Sequence, residues 1–438
     1  MKLSRKQFGL GMAAAALGAG ASSAKIAAQS TGSRPTTPSG ADQATYFFKD
    51  SAFEYVLLST LGRDYHQGGN VGKTLYVIGQ IEDGNPESAY RALVAVGDEA
   101  RTLAEESASG GHKESARQAY LWAQNFYDSA GYFADGTGDP SRLAETWRML
   151  DDCWLKSVRL FDPPIEQVAI PYEGTELRGF VFRGESTAEK RPLLILVNGS
   201  DGSLLDMWMM GGAGAAARGY DCLAFDGPGQ GYALWKQDLH FRPDWESVLT
   251  PVVDFALSRP GVAPDRIAVQ GISQGGYWVP RAVAFEKRIR AAIADPGVFD
   301  VSTSWTATLP PPMLELLKAG HKDAFDGYMA KSLDPATKAA LGFRMRPYGL
   351  SSYYDTFKAT MDYNLTDVVG KIECPMLITE PANEAFWPGQ SRRLYDALTS
   401  PKTLVPFSKA DGADLHCEPK GCGLRDLRVF NWLDAVLK

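Results

Sequence analysis

The stretch "AVQGISQGGYWVP", residues 268–280, decides the fold. An apolar run climbs to Gly271, then come Ile272-Ser273-Gln274-Gly275-Gly276 and the helix-like segment "GGYWVPRAVAFEKR". Gly271-Ile272-Ser273-Gln274-Gly275 matches G-x-S-x-G. Between a strand and a helix, that pattern is the sharp turn that lifts a serine hydroxyl above a sheet. Glycine tolerates the backbone such a turn requires. Ser273 is therefore a candidate nucleophile, set against the plainer reading of a turn serine.

The surroundings repeat the same texture. "PLLILVNG", "DCLAFDG", "RIAVQG", "AAIADPG", "PMLITEP" and "TLVPFSKADG" are short apolar runs ending in small or polar residues, as buried parallel strands do. Helix-like segments alternate with them, which predicts an α/β fold with a doubly wound, mostly parallel sheet and a ligand site at the carboxyl ends of its strands. "EQVAIPYEGTELRGFVFRG" reads as two further strands around a turn at Glu173-Gly174. Residues 301–370 interrupt the alternation with proline-broken helices, a helical insertion placed to act as a lid. "GGAGAAARG", residues 211–219, lacks dinucleotide-loop spacing and reads as close helix–sheet packing.

Residues 44–162 differ, with apolar and aromatic residues at helical spacing and little β pattern, which predicts a separate helical domain. "SGGHKES" breaks it, and Ser115 is placed to cap the next helix. The sheet-forming domain is expected over 163–438. Residues 1–28 carry Lys2, Arg5 and Lys6, then an Ala/Gly-rich run and small residues, the pattern of an export signal. "SRKQFG" is close to a twin-arginine motif, so a bacterial exported protein, periplasmic or secreted, is expected. Residues 29–43 read as a linker.

The chain has 438 residues, a formal net charge of −7 and a pI near 5.4. That acidity argues against nucleic acid as partner, since phosphate binding needs a basic face. No apolar run beyond the signal is long enough to span a membrane. The expected partner is a small-molecule substrate, with a homodimer as the oligomeric alternative. Five cysteines leave at least one unpaired, and Cys417 and Cys422 either close a small loop or stay as thiols. No Cys/His cluster has zinc spacing, and neither a metal nor an organic cofactor is implied.

A serine hydroxyl needs a base, and on this kind of sheet the chain order is serine, acid, histidine. Of the five histidines, only His321 and His416 follow Ser273. His321 falls in the helical insertion. His416, in "SKADGADLHCEP", lies just past the last strand, where a base is wanted. The acid belongs in "EPANEAFWPGQ", where Glu384 is preferred to Glu380 at the strand tip. Its work is to hold the imidazole tautomer and stabilise its charge. Two amides are expected to hold the oxyanion, from Gln274 and from Ser200 in "NGSDG". Asp226 is expected to order its Gly/Pro turn. Asp201, Tyr277 and Trp278 are carried as substrate contacts, with loop capping for the first and packing for the other two as the plainer readings.

The segments "GHKESARQAYLWAQNFYDSA", "NGSDGS", "FDGPGQG", "GISQGG", "FWPGQ" and "GADLHC" together resemble the branch of the α/β-hydrolases that carries an N-terminal helical domain. That branch includes 2,6-dihydroxypseudooxynicotine hydrolase and the fermentation–respiration switch protein family, and the resemblance covers about residues 45–438. It implies a Ser273–His416–acid triad in a pocket between the domains. It also implies a substrate class, β-diketone-like compounds cleaved at a carbon–carbon bond, beside the reading as a serine hydrolase of small apolar or aromatic esters, related acyl compounds or ketones. An aminopeptidase-like enzyme and a non-catalytic binding protein complete the alternatives.

Overall fold

A computed structural model describes residues 46–437 of the chain. The expected export signal and the expected linker lie outside the described residues. Five helices come first: α1 (Ser51–Gly62), α2 (Val71–Ile78), α3 (Pro86–Ser109), α4 (Lys113–Ala134) and α5 (Arg142–Val158). Helix α3 starts at Pro86 behind Asn85, whose side chain accepts from the Ser88 amide. Helix α4 corrects one expectation: its cap position is His112, and Ser115 lies inside the helix. The break falls earlier because Gly111, at φ +80°, turns the chain there.

One eight-stranded sheet follows, in the order β1-β2-β4-β3-β5-β6-β7-β8. Its strands are β1 (Glu166–Tyr172), β2 (Thr175–Phe182), β3 (Arg191–Val197), β4 (Asp221–Phe225), β5 (Val262–Ile272), β6 (Ala291–Asp295), β7 (Met376–Pro381) and β8 (Lys402–Phe407). Strands β1 and β2 form an antiparallel hairpin whose turn, Glu173 at φ 39° and Gly174 at φ 80°, needs left-handed backbone at both positions. From β4 through β3, β5, β6 and β7 to β8 every pairing is parallel. The central strands are buried on both faces, hence their unbroken apolar runs.

Helices α6 (Glu246–Leu257) and α7 (Gly275–Val283) cover one face. There Trp278 stacks on Trp245 at 4.3 Å between ring centres, and Phe241 meets Trp278 edge-on. Between β6 and β7 comes the helical insertion: α8 (Pro311–Ala319), α9 (Lys322–Ser332), α10 (Pro335–Met345) and α11 (Tyr353–Thr360). It reaches back to the N-terminal helices, with Phe343 against Tyr132 at 5.7 Å and Arg346 paired to Asp135 at 2.9 Å. Helix α12 (Gln390–Ala397) follows β7 and α13 (Cys422–Val436) closes the described chain. Among the described residues no helix is long and apolar enough to cross a membrane.

One buried ion cluster ties the helical region to the sheet. The Arg63 guanidinium reaches Asp128 at 2.5 Å and Asp206 at 2.6 Å, and Nη1 donates to Asn125. Burial, opposed by Arg63, raises the Asp128 carboxyl to about 7. Removing one partner of such a cluster strands the others without compensation. Arg63→Met is expected to cost about 3–5 kcal/mol, read as a lower urea midpoint at unchanged slope.

The disulfide alternative is corrected: all five cysteines are free thiols. Cys417 donates to the Asp295 carbonyl at 3.5 Å and Cys422 to the Pro419 carbonyl at 3.3 Å, so the two sulfurs are turned to different acceptors.

Candidate active site

Ser273 sits between β5 and α7 at φ 56°. Crowding explains the glycines around it. A Cβ on Gly271 would lie 2.1 Å from the Gly275 carbonyl oxygen, and one on Gly275 would lie 2.8 Å from that of Val197. The Ser273 amide donates to the Asp295 carbonyl at 2.7 Å, pinning the turn to the end of β6.

Three side chains from three separate loops meet here. His416 Nε2 is 2.8 Å from Ser273 Oγ, and His416 Nδ1 is 2.7 Å from Glu384 Oε2. The second Glu384 oxygen accepts the amides of Phe386 and Trp387 at 2.8 and 3.0 Å. Burial alone would raise the Glu384 carboxyl. The His416 charge, their hydrogen bond and those two amides outweigh it and hold the carboxyl below its ordinary value. The histidine ring is wedged by Phe386 at 4.6 Å and Trp387 at 5.8 Å. Asn383 locks the acid loop to the histidine loop, its amide donating to the Asp414 carbonyl and its side chain to the Asp414 carboxylate. Of the competitors, Glu380 pairs with Arg392 at 2.9 Å, and His321 is exposed at the start of α9.

The loop after β3 closes on the serine. A Cβ on Gly199 would lie 2.7 Å from Ser273 Cβ, so glycine is required for that approach. Gln230 Nε2 holds the carbonyls of Asn198 and Gly199 at 2.9 Å each, and Asn198 Nδ2 holds that of Gly202 at 2.7 Å. Ser200 and Gln274 both line the cavity at Ser273, which has a volume of about 140 Å³. Asp226 is buried, paired with Arg178 and accepting the Tyr232 amide, in keeping with a turn-ordering role.

Tyr277 and Trp278 do not reach that cavity, which corrects their placement as substrate contacts. Both are fully buried on the helix face turned to the core. Their polar atoms are spent on backbone, Tyr277 Oη on the Pro243 carbonyl and Trp278 Nε1 on that of Arg242. Conversely, the N-terminal helices supply residues that sequence reasoning missed. Tyr55 from α1 donates to the His416 carbonyl at 3.1 Å, and Tyr132 from α4 lines the cavity. Only periodicity marked these positions, and it reads as core. A further acid, Glu418, lies buried beside Asp295 behind the histidine loop. Burial, and then Asp295, push its carboxyl well above the ordinary value.

The comparisons agree with this architecture. A model of the prolyl oligopeptidase family matches residues 215–345. Hydrolyase poxO of Penicillium oxalicum is 30% identical over 416 residues, 89% of this chain and 98% of its own. The 20-hydroxy-prefusarin hydrolase FUS2 of Gibberella moniliformis is 28% identical over 414 residues, 89% and 97% of the two chains. The crystal structure of 2,6-dihydroxy-pseudo-oxynicotine hydrolase superposes with a TM-score of 0.66 at 20% identity, over 86% of this chain and 95% of that one. At that identity the likeness speaks to the fold alone. The relatives quoted are fungal, so they lend nothing to the bacterial export expected from residues 1–28.

Proposed function

The chain belongs to the α/β-hydrolase family of poxO, and on that footing we propose that it is a serine hydrolase with Ser273 as nucleophile, His416 as base and Glu384 as orienting acid. The observation that carries the reading is the hydrogen-bonded line from Ser273 Oγ through the imidazole to Glu384. His416 Nε2 takes the hydroxyl proton as Ser273 Oγ attacks an acyl carbon, and Glu384 stabilises the imidazolium. The amides of Gln274 and Ser200 hold the oxyanion, each worth about 3 kcal/mol of transition-state stabilisation. The leaving group takes the proton from His416, and water then releases the acyl group by the same steps. Trp305, Phe343, Tyr348, Phe386 and Trp387 line the cavity, which suits a small apolar or aromatic acyl compound.

The test is labelling of the purified protein with a fluorophosphonate and mapping of the adduct. One adduct per chain, on the peptide that contains Ser273, is the expected result. No adduct, in protein whose circular dichroism shows it folded, would put the non-catalytic binding protein in its place.

A further inference from the structure

Behind the proposed triad lies a pair of carboxyls that the reaction does not use. Glu418, two residues past His416, and Asp295, at the end of β6, are both fully buried and lie within hydrogen-bond reach of each other. Thr379 Oγ1, from β7, donates to Asp295 Oδ1 at 2.9 Å. Asp295 Oδ2 and both Glu418 oxygens have no hydrogen-bond donor among the described residues. Two carboxylates facing each other out of reach of water would repel, and their oxygens would stay unpaired, which folded proteins avoid. One proton between them removes both costs. It turns one carboxylate into an O–H donor and leaves a single negative charge on the pair. That charge is opposed by the buried Arg425 of α13.

The pair also stands at the joint between the nucleophile and its base. The Asp295 carbonyl accepts the Ser273 amide at 2.7 Å and the Cys417 thiol at 3.5 Å. Cys417 and Glu418 hold left-handed backbone, at φ 58° and 47°, which residues other than glycine keep only where their surroundings enforce it. A bond from the Glu418 carboxyl supplies that constraint, since it ties the histidine loop to the strand end that also pins the Ser273 turn. We propose that Glu418 and Asp295 share one proton, and that this hydrogen bond is the clamp that positions His416 on Ser273. Glu418 is then a positioning residue. The inference rests on the serine-hydrolase reading and gives that site an alkaline limit.

Burial, and then Asp295, raise the Glu418 carboxyl, so the shared proton stays through the ordinary carboxylate range and leaves only at higher pH. Two anions then face each other, the histidine loop moves off the serine, and kcat falls. Stability falls over the same window, because the folded chain holds a proton that the unfolded chain gives up in the ordinary carboxylate range. The titratable and charged groups around the pair are Cys417 beside Glu418, Glu384 of the acid loop, and Cys422, Arg425 and Asp426 of α13.

The experiment measures kcat for 4-nitrophenyl acetate across the neutral and alkaline range in the full-length wild type, Glu418→Gln and Glu418→Met. Urea midpoints and infrared spectra are taken on the same proteins. Glu418→Met breaks the clamp and is expected to lower kcat at neutral pH by about 100-fold, the cost of a catalytic group displaced by about 1 Å. In Glu418→Gln the side-chain amide donates to ionised Asp295 in place of the shared proton. That variant is expected to recover most of the loss, and to lack the alkaline fall that the wild type shows in kcat and in urea midpoint. The wild type is expected to show the carbonyl stretch of a protonated carboxyl at neutral pH, in a band that Glu418→Gln lacks. A wild type without the alkaline fall, or a Glu418→Gln enzyme that keeps it, overturns the inference and leaves the triad standing. So does a Glu418→Gln enzyme as impaired as Glu418→Met. If Glu418→Met does not fold, the pH profile and infrared band of Glu418→Gln decide alone. Absence of fluorophosphonate labelling in the wild type removes the serine chemistry and the positioning role with it.

Discussion

Ser273→Ala is expected to lower kcat/KM for an aryl ester by roughly 10⁴- to 10⁶-fold, the range that removal of a serine nucleophile produces when its base and oxyanion hole remain. The variant keeps its fold, because the alanine leaves the Ser273 amide bond to Asp295 in place. What remains over water comes from binding and from the amides of Gln274 and Ser200. His416→Ala is expected to cost about as much, and the double variant little more, because the two act as a unit. Steady-state kinetics on the three proteins, corrected for contaminating esterase with a fluorophosphonate-treated control, checks this. A Ser273→Ala enzyme within tenfold of wild type would sink the assignment.

Glu384→Gln carries the second large effect, a drop in kcat of about 10⁴ with KM little changed. A carboxylate in contact with His416 Nδ1 fixes the proton on that nitrogen and leaves Nε2 free to accept from Ser273. An amide presents a donor there and permits the wrong tautomer. The matching control is Glu380→Gln, whose carboxylate faces Arg392 and whose loss is expected to leave kcat within about twofold, as for most surface substitutions. Equal losses in the two variants would contradict the choice of Glu384. The sign for stability follows from the lowered carboxyl. The contribution of ionised Glu384 is complete above the ordinary carboxylate range and is lost as the pH falls through its lower folded value.

Local pattern carried much of the fold. The apolar runs that end in Asn198, Asp226, Gly271 and Asp295 correspond to β3, β4, β5 and β6, because a parallel strand buried on both faces has no polar side to show. The position of His416 just past β8 was legible because chain order orders loops along a doubly wound sheet. Less was legible around the serine. Tyr277 and Trp278 follow Ser273 in sequence and yet point away from it. A helix that starts at Gly275 carries them to its core face, beside Trp245 and Tyr363. The placement of Ser115 failed for a related reason, since Gly111 turns the chain before the serine is reached.

By itself, the sequence determined a doubly wound sheet, a serine turn at its centre, and a histidine and an acid on two later loops. Each of these is written in residues close together in the chain: glycines that leave room for a sharp turn, an apolar run, a short loop. The tertiary structure alone decided which acid meets His416, that the N-terminal helices reach the site through Tyr55 and Tyr132, that Asp201 lines the cavity at Ser273, and that Glu418 meets Asp295. Those contacts join residues up to 361 positions apart, as Tyr55 and His416 are. They depend on how the helical layers settle on the carboxyl ends of the strands, and no short stretch of sequence encodes that packing.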